Sequence, residues 1–134
     1  MFYKPVSRIF VVDDEHTIAA TLAAILNMNG YRARYFTRPM EAMAAVLLDP
    51  PDLLITDVSM PGLSGIDLAI GIRAQGYTCK ILLFSGHAGT VDLLERARNQ
   101  GQDLDLILKP VHPTDLLALI AKWQKSEAPP EPSA

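Results

Sequence analysis

Three carboxylates, a lysine and a serine each stand where a short apolar run stops. Asp13 and Asp14 follow the run at 9–12, Asp57 follows 53–56, Ser85 follows 81–84, and Lys109 follows 104–108. Clustered carboxylates repel one another, and a hard divalent cation relieves that repulsion. Oxygen donors without added histidine or cysteine suit Mg²⁺, which keeps some of its waters and favours phosphate as a co-ligand. A lysine on the same rim adds a positive point charge. A hydroxyl and loop amides supply hydrogen-bond donors. Such a set stabilises a transferring phosphoryl group, whose charge spreads over its equatorial oxygens. A carboxylate can itself be the nucleophile, giving an aspartyl phosphate.

For these groups to meet, the chain must bring the ends of its apolar runs together, and its alternation provides for that. Strands are expected at 9–12, 31–36, 53–56, 81–84 and 104–108. Segments of helical spacing lie between them. The first carries Ile18, Leu22, Ile25 and Leu26 and ends at Asn29-Gly30. The second is capped by Thr37, has Pro39 in its first turn, sets Met40, Met43, Ala44 and Leu47 on one face, and stops at Pro50-Pro51. The third runs from about Ile66 to Ala74; Ile66 and Ile70 mark one face and Leu68 and Ile72 another, which leaves its buried side open. The fourth starts near Thr90, and the fifth follows a Thr114 cap with Leu116, Leu117, Ile120 and Trp123. Five β-α pairs predict an α/β fold, a doubly wound parallel sheet with helices on both faces. In such a sheet ligands bind beyond the carboxyl ends of the strands, where the five polar groups are expected.

The 134 residues fit one domain, and 49% hydrophobic with 20% charged residues is enough to bury a core. A net charge of −3 does not suit a domain that grips DNA phosphates itself. One cysteine, Cys79, precludes an internal disulfide and fits a cytoplasmic location. No run approaches the roughly 18 apolar residues of a membrane span. Residues 1–126 are expected to form the domain, and the Pro-rich 127–134 a disordered tail or the start of a linker.

The segments Val11-Val12-Asp13-Asp14-Glu15, Ile55-Thr56-Asp57-Val58-Ser59-Met60-Pro61-Gly62, Leu63-Ser64-Gly65, Leu83-Phe84-Ser85-Gly86 and Leu108-Lys109-Pro110 resemble the signature segments of response-regulator receiver domains, the CheY-like proteins of two-component signalling. The resemblance runs from about Arg8 to Lys125. It implies a flavodoxin-like five-stranded sheet of order 2-1-3-4-5 with five helices. It implies that Asp57 accepts a phosphoryl group, that Asp13, Asp14, the Asp57 carboxylate and the Ser59 backbone carbonyl hold Mg²⁺, that Lys109 binds the phosphoryl group, and that Ser85 bonds it after transfer. A cis Lys109-Pro110 bond is implied too. The implied donor is a sensor histidine kinase or a histidine phosphotransfer protein, and the chain is then a signalling phosphoacceptor rather than an enzyme. A downstream protein, and a homodimer through helix 4, strand 5 and helix 5, are further partners the family offers.

The chain departs from the family pattern at Leu106, where a Tyr or Phe usually stands three residues before the lysine. A weaker or differently routed switch is expected to follow. Ser59 and His87, each two residues past a site residue, are expected to tune the lifetime of the aspartyl phosphate. Taken singly, Asp13-Asp14, Ser85 and Lys109-Pro110 are ordinary strand exits; their joint placement carries the reading. His16, His112, Arg96 and Arg98 read as solvated or loop residues, Cys79 as quietly packed, Trp123 as a cover for the sheet edge, and Met40, Met43 and Met60 as packing.

Other functions fit less well. A nucleotide-binding enzyme wants a Gly-rich first loop, but no glycine precedes Gly30. A phosphohydrolase with an Asp nucleophile usually places it after the first strand, under a cap. A degenerate receiver used as a scaffold is expected to lack Asp57, Lys109 or the acidic pair. The chain is either a stand-alone receiver or the receiver part of a longer regulator.

Overall fold

The computed structural model describes residues 6–86, 90–99 and 104–126. The elements alternate as β1 (Arg8–Val12), α1 (His16–Met28), β2 (Arg32–Phe36), α2 (Pro39–Leu48), β3 (Leu53–Asp57), α3 (Gly65–Ala74), β4 (Lys80–Ser85), α4 (Thr90–Asn99), β5 (Asp105–Leu108) and α5 (Pro113–Ser126). The strands form one parallel sheet of order β2-β1-β3-β4-β5, the expected arrangement. The 127–134 tail and His87 lie outside the described residues.

Successive strand residues point to opposite faces, and both faces are covered. Phe10, Val12, Leu54, Ile81 and Leu83 pack under α2, α3 and α4. Ile9, Val11, Leu53, Ile55, Leu82 and Phe84 pack under α1 and α5. This two-sided burial is why β1, β3 and β4 read as unbroken apolar runs. The exposed, Arg-bearing β2 lies at one edge of the sheet.

Helix α3 buries Leu68, Ala69 and Ile72, which resolves its ambiguous face. Helix α2 departs from expectation. It buries Pro39, Ala42 and Val46, while Met40 is 66% and Leu47 44% exposed. Nearly every residue of α2 is apolar, so no polar side sets the phase of the helix. Tertiary contact sets it instead: Met43 lies over Gly71 of α3, its Cε only 2.8 Å from where a Cβ would stand.

Two expected caps are corrected. Arg38, not Thr37, precedes α2, with no side-chain cap; Pro39 at the first helical position has no N–H to satisfy. Helix α1 begins at His16, after Glu15, which makes no side-chain cap hydrogen bond. Helix α4 starts at Thr90, as expected, whereas α5 begins at Pro113, so Thr114, expected as its cap, lies inside its first turn. The Thr114 N–H is instead taken by the Nδ1 of His112 at 3.3 Å, and a histidine read as a loop residue is the capping group. Arg98 is likewise more than a solvated residue: its Nε and Nη2 donate to the Leu104 carbonyl at 3.0 and 2.8 Å, fastening α4 to the approach of β5. Trp123 is buried on the α1–α5 face with the Lys80 ammonium over its ring, so it covers the start of β4, an inner strand, rather than the sheet edge. Cys79 packs quietly, as expected.

Candidate functional site

The site is assembled at the carboxyl ends of β1, β3, β4 and β5. Asp13 is fixed by its own backbone, whose N–H donates to the Phe36 carbonyl at 3.1 Å. Its Oδ1 accepts the Glu15 N–H at 3.0 Å, a local turn that leads the chain into α1 and leaves Oδ2 for the site. Asp14 is exposed, while Asp13 and Asp57 are buried. Carboxylate oxygens of all three lie within 4.8 Å of one another.

Lys109 reaches into this cluster. Its Nζ stands 3.1 Å from Asp57 Oδ1 and 3.5 Å from Asp13 Oδ2. Its backbone N–H donates to the Ser85 carbonyl at 2.8 Å, tying the β5 exit to the β4 exit. The peptide bond to Pro110 is cis, as the resemblance implies. Burial draws the Lys109 ammonium downward, but the hydrogen bond and charges of Asp57 and Asp13 outweigh it and hold its pKa above the ordinary lysine value. Asp13 is pushed the other way for a carboxylate. Burial, seconded by the Asp57 charge, raises it, although the Glu15 N–H and Lys109 pull it down.

That balance tests whether a cation fits. Three carboxylates against one ammonium leave two negative charges uncompensated, among the described residues, in a mostly buried cluster. The donors are all oxygens, and the remaining strain falls on the anionic form of Asp13. A hard divalent ion such as Mg²⁺ answers both facts.

Ser85 is buried at the end of β4, two residues beyond Leu83 on the same strand face. Ser59 is exposed just past β3. Leu106 is half-buried, pairs in register with Leu83, and packs against the α2–α4 face. His16 is exposed, but its Nε2 lies 3.1 Å from the Tyr35 hydroxyl, so it is engaged rather than merely solvated.

Two residues beside Asp57, named above only as members of signature segments, take a definite structural part here. Gly65 opens α3 with its N–H on the Val58 carbonyl at 2.9 Å, and a Cβ there would run into the Asp57 carbonyl oxygen. Thr56 is fully buried and donates to that same carbonyl at 3.0 Å. The available signals were their places in those segments and, for Thr56, a hydroxyl at the end of an otherwise apolar strand.

The chain is 38% identical over 112 residues to the phosphoglycerate transport system transcriptional regulatory protein PgtA of Salmonella typhimurium, covering 84% of this chain and 26% of that protein. It is 32% identical over 124 residues to the DNA-binding response regulator MtrA of Mycolicibacterium smegmatis, covering 92% of this chain and 53% of MtrA. The chain thus spans about half or less of the length of these curated relatives. Among solved structures, a CheY-like receiver domain protein from Methanospirillum hungatei superposes with a TM-score of 0.80 at 26% identity, covering 91% of this chain and 96% of that one. NtrX from Brucella abortus gives 0.78 at 27% identity over 91% of this chain and 28% of its own. The profile described as the response regulator receiver domain matches residues 9–121. With sheet order, clustered strand ends and profile in agreement, this chain belongs to the response regulator receiver domain family.

Proposed function

We propose that this receiver accepts a phosphoryl group on Asp57 from a phosphohistidine, on a sensor histidine kinase or a histidine phosphotransfer protein. The observation that carries the reading is the contact of Lys109 with Asp57 inside a three-carboxylate cluster. A carboxylate oxygen of Asp57 attacks phosphorus; the P–O bond forms as the P–N bond to the donor imidazole breaks, and that nitrogen keeps the electron pair. A carboxylate nucleophile has no proton to remove, so no general base is needed. Lys109 neutralises the incoming phosphoryl oxygens and holds Asp57 in place, and Ser85 bonds the transferred group. Asp13, Asp14, Asp57 and the Ser59 carbonyl hold Mg²⁺, which supplies charge neutralisation for the phosphoryl oxygens. Ser59 and His87 tune the lifetime of the phosphoryl group, and Leu106 shapes its readout through the packed row it shares with Leu83. The domain spans 1–126, works in the cytoplasm and passes its state to a downstream protein. Among the described residues no helix is long and apolar enough to cross a membrane.

Incubation with acetyl phosphate and Mg²⁺ tests the reading by intact mass. One added phosphoryl group is expected, and none when the metal is chelated. A protein that gains nothing from acetyl phosphate or from a phosphorylated kinase is not a phosphoacceptor.

A second prediction concerns the metal itself. Mg²⁺ at 100 times its Kd should stabilise the fold by about 2.7 kcal/mol, seen as a rise in Tm. Asp13→Asn keeps an acceptor for the Glu15 N–H but removes the charge that burial disfavours. It should raise the Tm of the metal-free protein and abolish most of the Mg²⁺-dependent rise. An undiminished Mg²⁺ response in the Asp13→Asn variant would exclude Asp13 as a ligand.

A further inference from the structure

We propose that Thr56 is a positioning residue for Asp57: its hydroxyl pins the carbonyl of the 57–58 peptide, from which the phosphoacceptor side chain and the turn to Ser59 both hang. The inference rests on the proposed phosphoacceptor role of Asp57.

The register sets Val12, Thr56, Leu83 and Leu106 side by side across β1, β3, β4 and β5. Thr56 is the one polar member of this row. It is 0% exposed and faces the apolar cluster that contains Val12, Leu54, Leu68 and Leu83. A hydroxyl there is costly unless bonded, and a valine of the same shape would suit the packing better. What the hydroxyl gains is the Asp57 carbonyl, 3.0 Å away.

This peptide and the next, 58–59, are held by the backbone as well. The Val58 N–H donates to the Phe84 carbonyl, and the Val58 carbonyl accepts the Gly65 N–H, each at 2.9 Å. The Cα of Gly65 closes against the Asp57 carbonyl, leaving no room for a Cβ. Thr56 is the side-chain member of this clamp, and it alone can be altered without changing the backbone or the shape of the core. It touches neither phosphoryl group nor metal ligand oxygen and acts through the peptide plane.

The test compares wild type with Thr56→Val and Thr56→Ser, reading the rate of phosphoryl uptake from acetyl phosphate at saturating Mg²⁺, the Tm, and amide exchange at Gly65 in the metal-free protein. Near-attack geometry is sensitive to sub-ångström displacement, so Thr56→Val should lower the saturating uptake rate by about tenfold with little change in the donor KM. Its Tm should stay close to that of wild type, because the buried methyl offsets the loss of the partner to the Asp57 carbonyl. Gly65 exchange should quicken. Thr56→Ser, which keeps the hydroxyl but loses a methyl, should recover the rate and the protection while its Tm falls. Rate and stability then move independently, which a purely structural residue does not produce. Thr56→Val at the wild-type rate, or rates that track Tm across the three proteins, would overturn the positioning role while leaving Asp57 as acceptor. A wild type that takes up no phosphoryl group at Asp57 would instead remove the reading on which the inference rests.

Discussion

Gly65→Ala is expected to destabilise the protein by about 3 kcal/mol, at the upper end of overpacking costs, and to slow phosphoryl uptake by about 100-fold. The added methyl would collide with the Asp57 carbonyl oxygen and meet its carbon at 2.9 Å and the Val58 Cα at 3.1 Å. All three are backbone atoms at the end of a central strand, so no side chain can swing aside. Either α3 retreats and the Gly65 to Val58 hydrogen bond breaks, or the 57–58 peptide turns and carries the phosphoacceptor with it. For a domain of this size the stability loss corresponds to a fall in Tm of roughly 10 °C. Gly62→Ala is the control. Gly62 has φ +86° but open space around it, so its cost is only the left-handed backbone of about 1 kcal/mol. Thermal melts and uptake rates of the two variants check the difference. Equal, small effects would mean that the contact at Gly65 is not tight.

Lys109→Ala should lower two measurements and raise a third. Without the ammonium, the carboxylates of Asp13 and Asp57 stay buried with no cation between them. Breaking a fully buried pair costs about 3–5 kcal/mol, and the 25% exposure of Lys109 reduces that to about 2 kcal/mol of metal-free stability. Mg²⁺ affinity should rise by about fivefold, because the ion no longer competes with the ammonium for Asp57. Phosphoryl uptake should fall by about 100-fold even at saturating Mg²⁺, since the charge on the phosphoryl oxygens loses one of its two stabilisers. The raised pKa of Lys109 fixes the sign with pH. Its contribution to stability is complete below the ordinary lysine value of 10.5 and is lost as the pH climbs through the higher folded value. The stability difference between wild type and Lys109→Ala should therefore be steady at neutral pH and shrink only in strong alkali. Unchanged Mg²⁺ affinity would show that Lys109 and the metal do not share Asp57.

The sequence made the site legible because each of its groups interrupts an apolar run. Strands covered on both faces are recognised by their length and lack of polar residues, so Asp13, Asp57, Ser85 and Lys109 announce where they end. Fold class followed from the same pattern. What stayed hidden depends on neighbours distant in sequence. The run Pro39–Leu48 holds Glu41 as its only charged residue, so packing against β1, β2 and α3 decides that Ala42 and Val46 face inward and Met40 outward. The His112 cap is set by where Pro113 lets the helix begin. Gly65 and Thr56 converge on one carbonyl only after α3 has folded back over β3. Positions that grip the backbone of the site, unlike those that present its charge, have no pattern along the chain.

The most direct measurement is the location of the phosphoryl group. Protein phosphorylated in the presence of Mg²⁺ is reduced with borohydride, which converts an aspartyl phosphate to homoserine, then digested and sequenced by mass spectrometry. Homoserine at position 57, absent without Mg²⁺ and in Asp57→Ala, is the result expected from the Lys109–Asp57 contact. Modification at Asp13 or Asp14 instead, or a phosphoryl group retained by Asp57→Ala at the wild-type level, would contradict it.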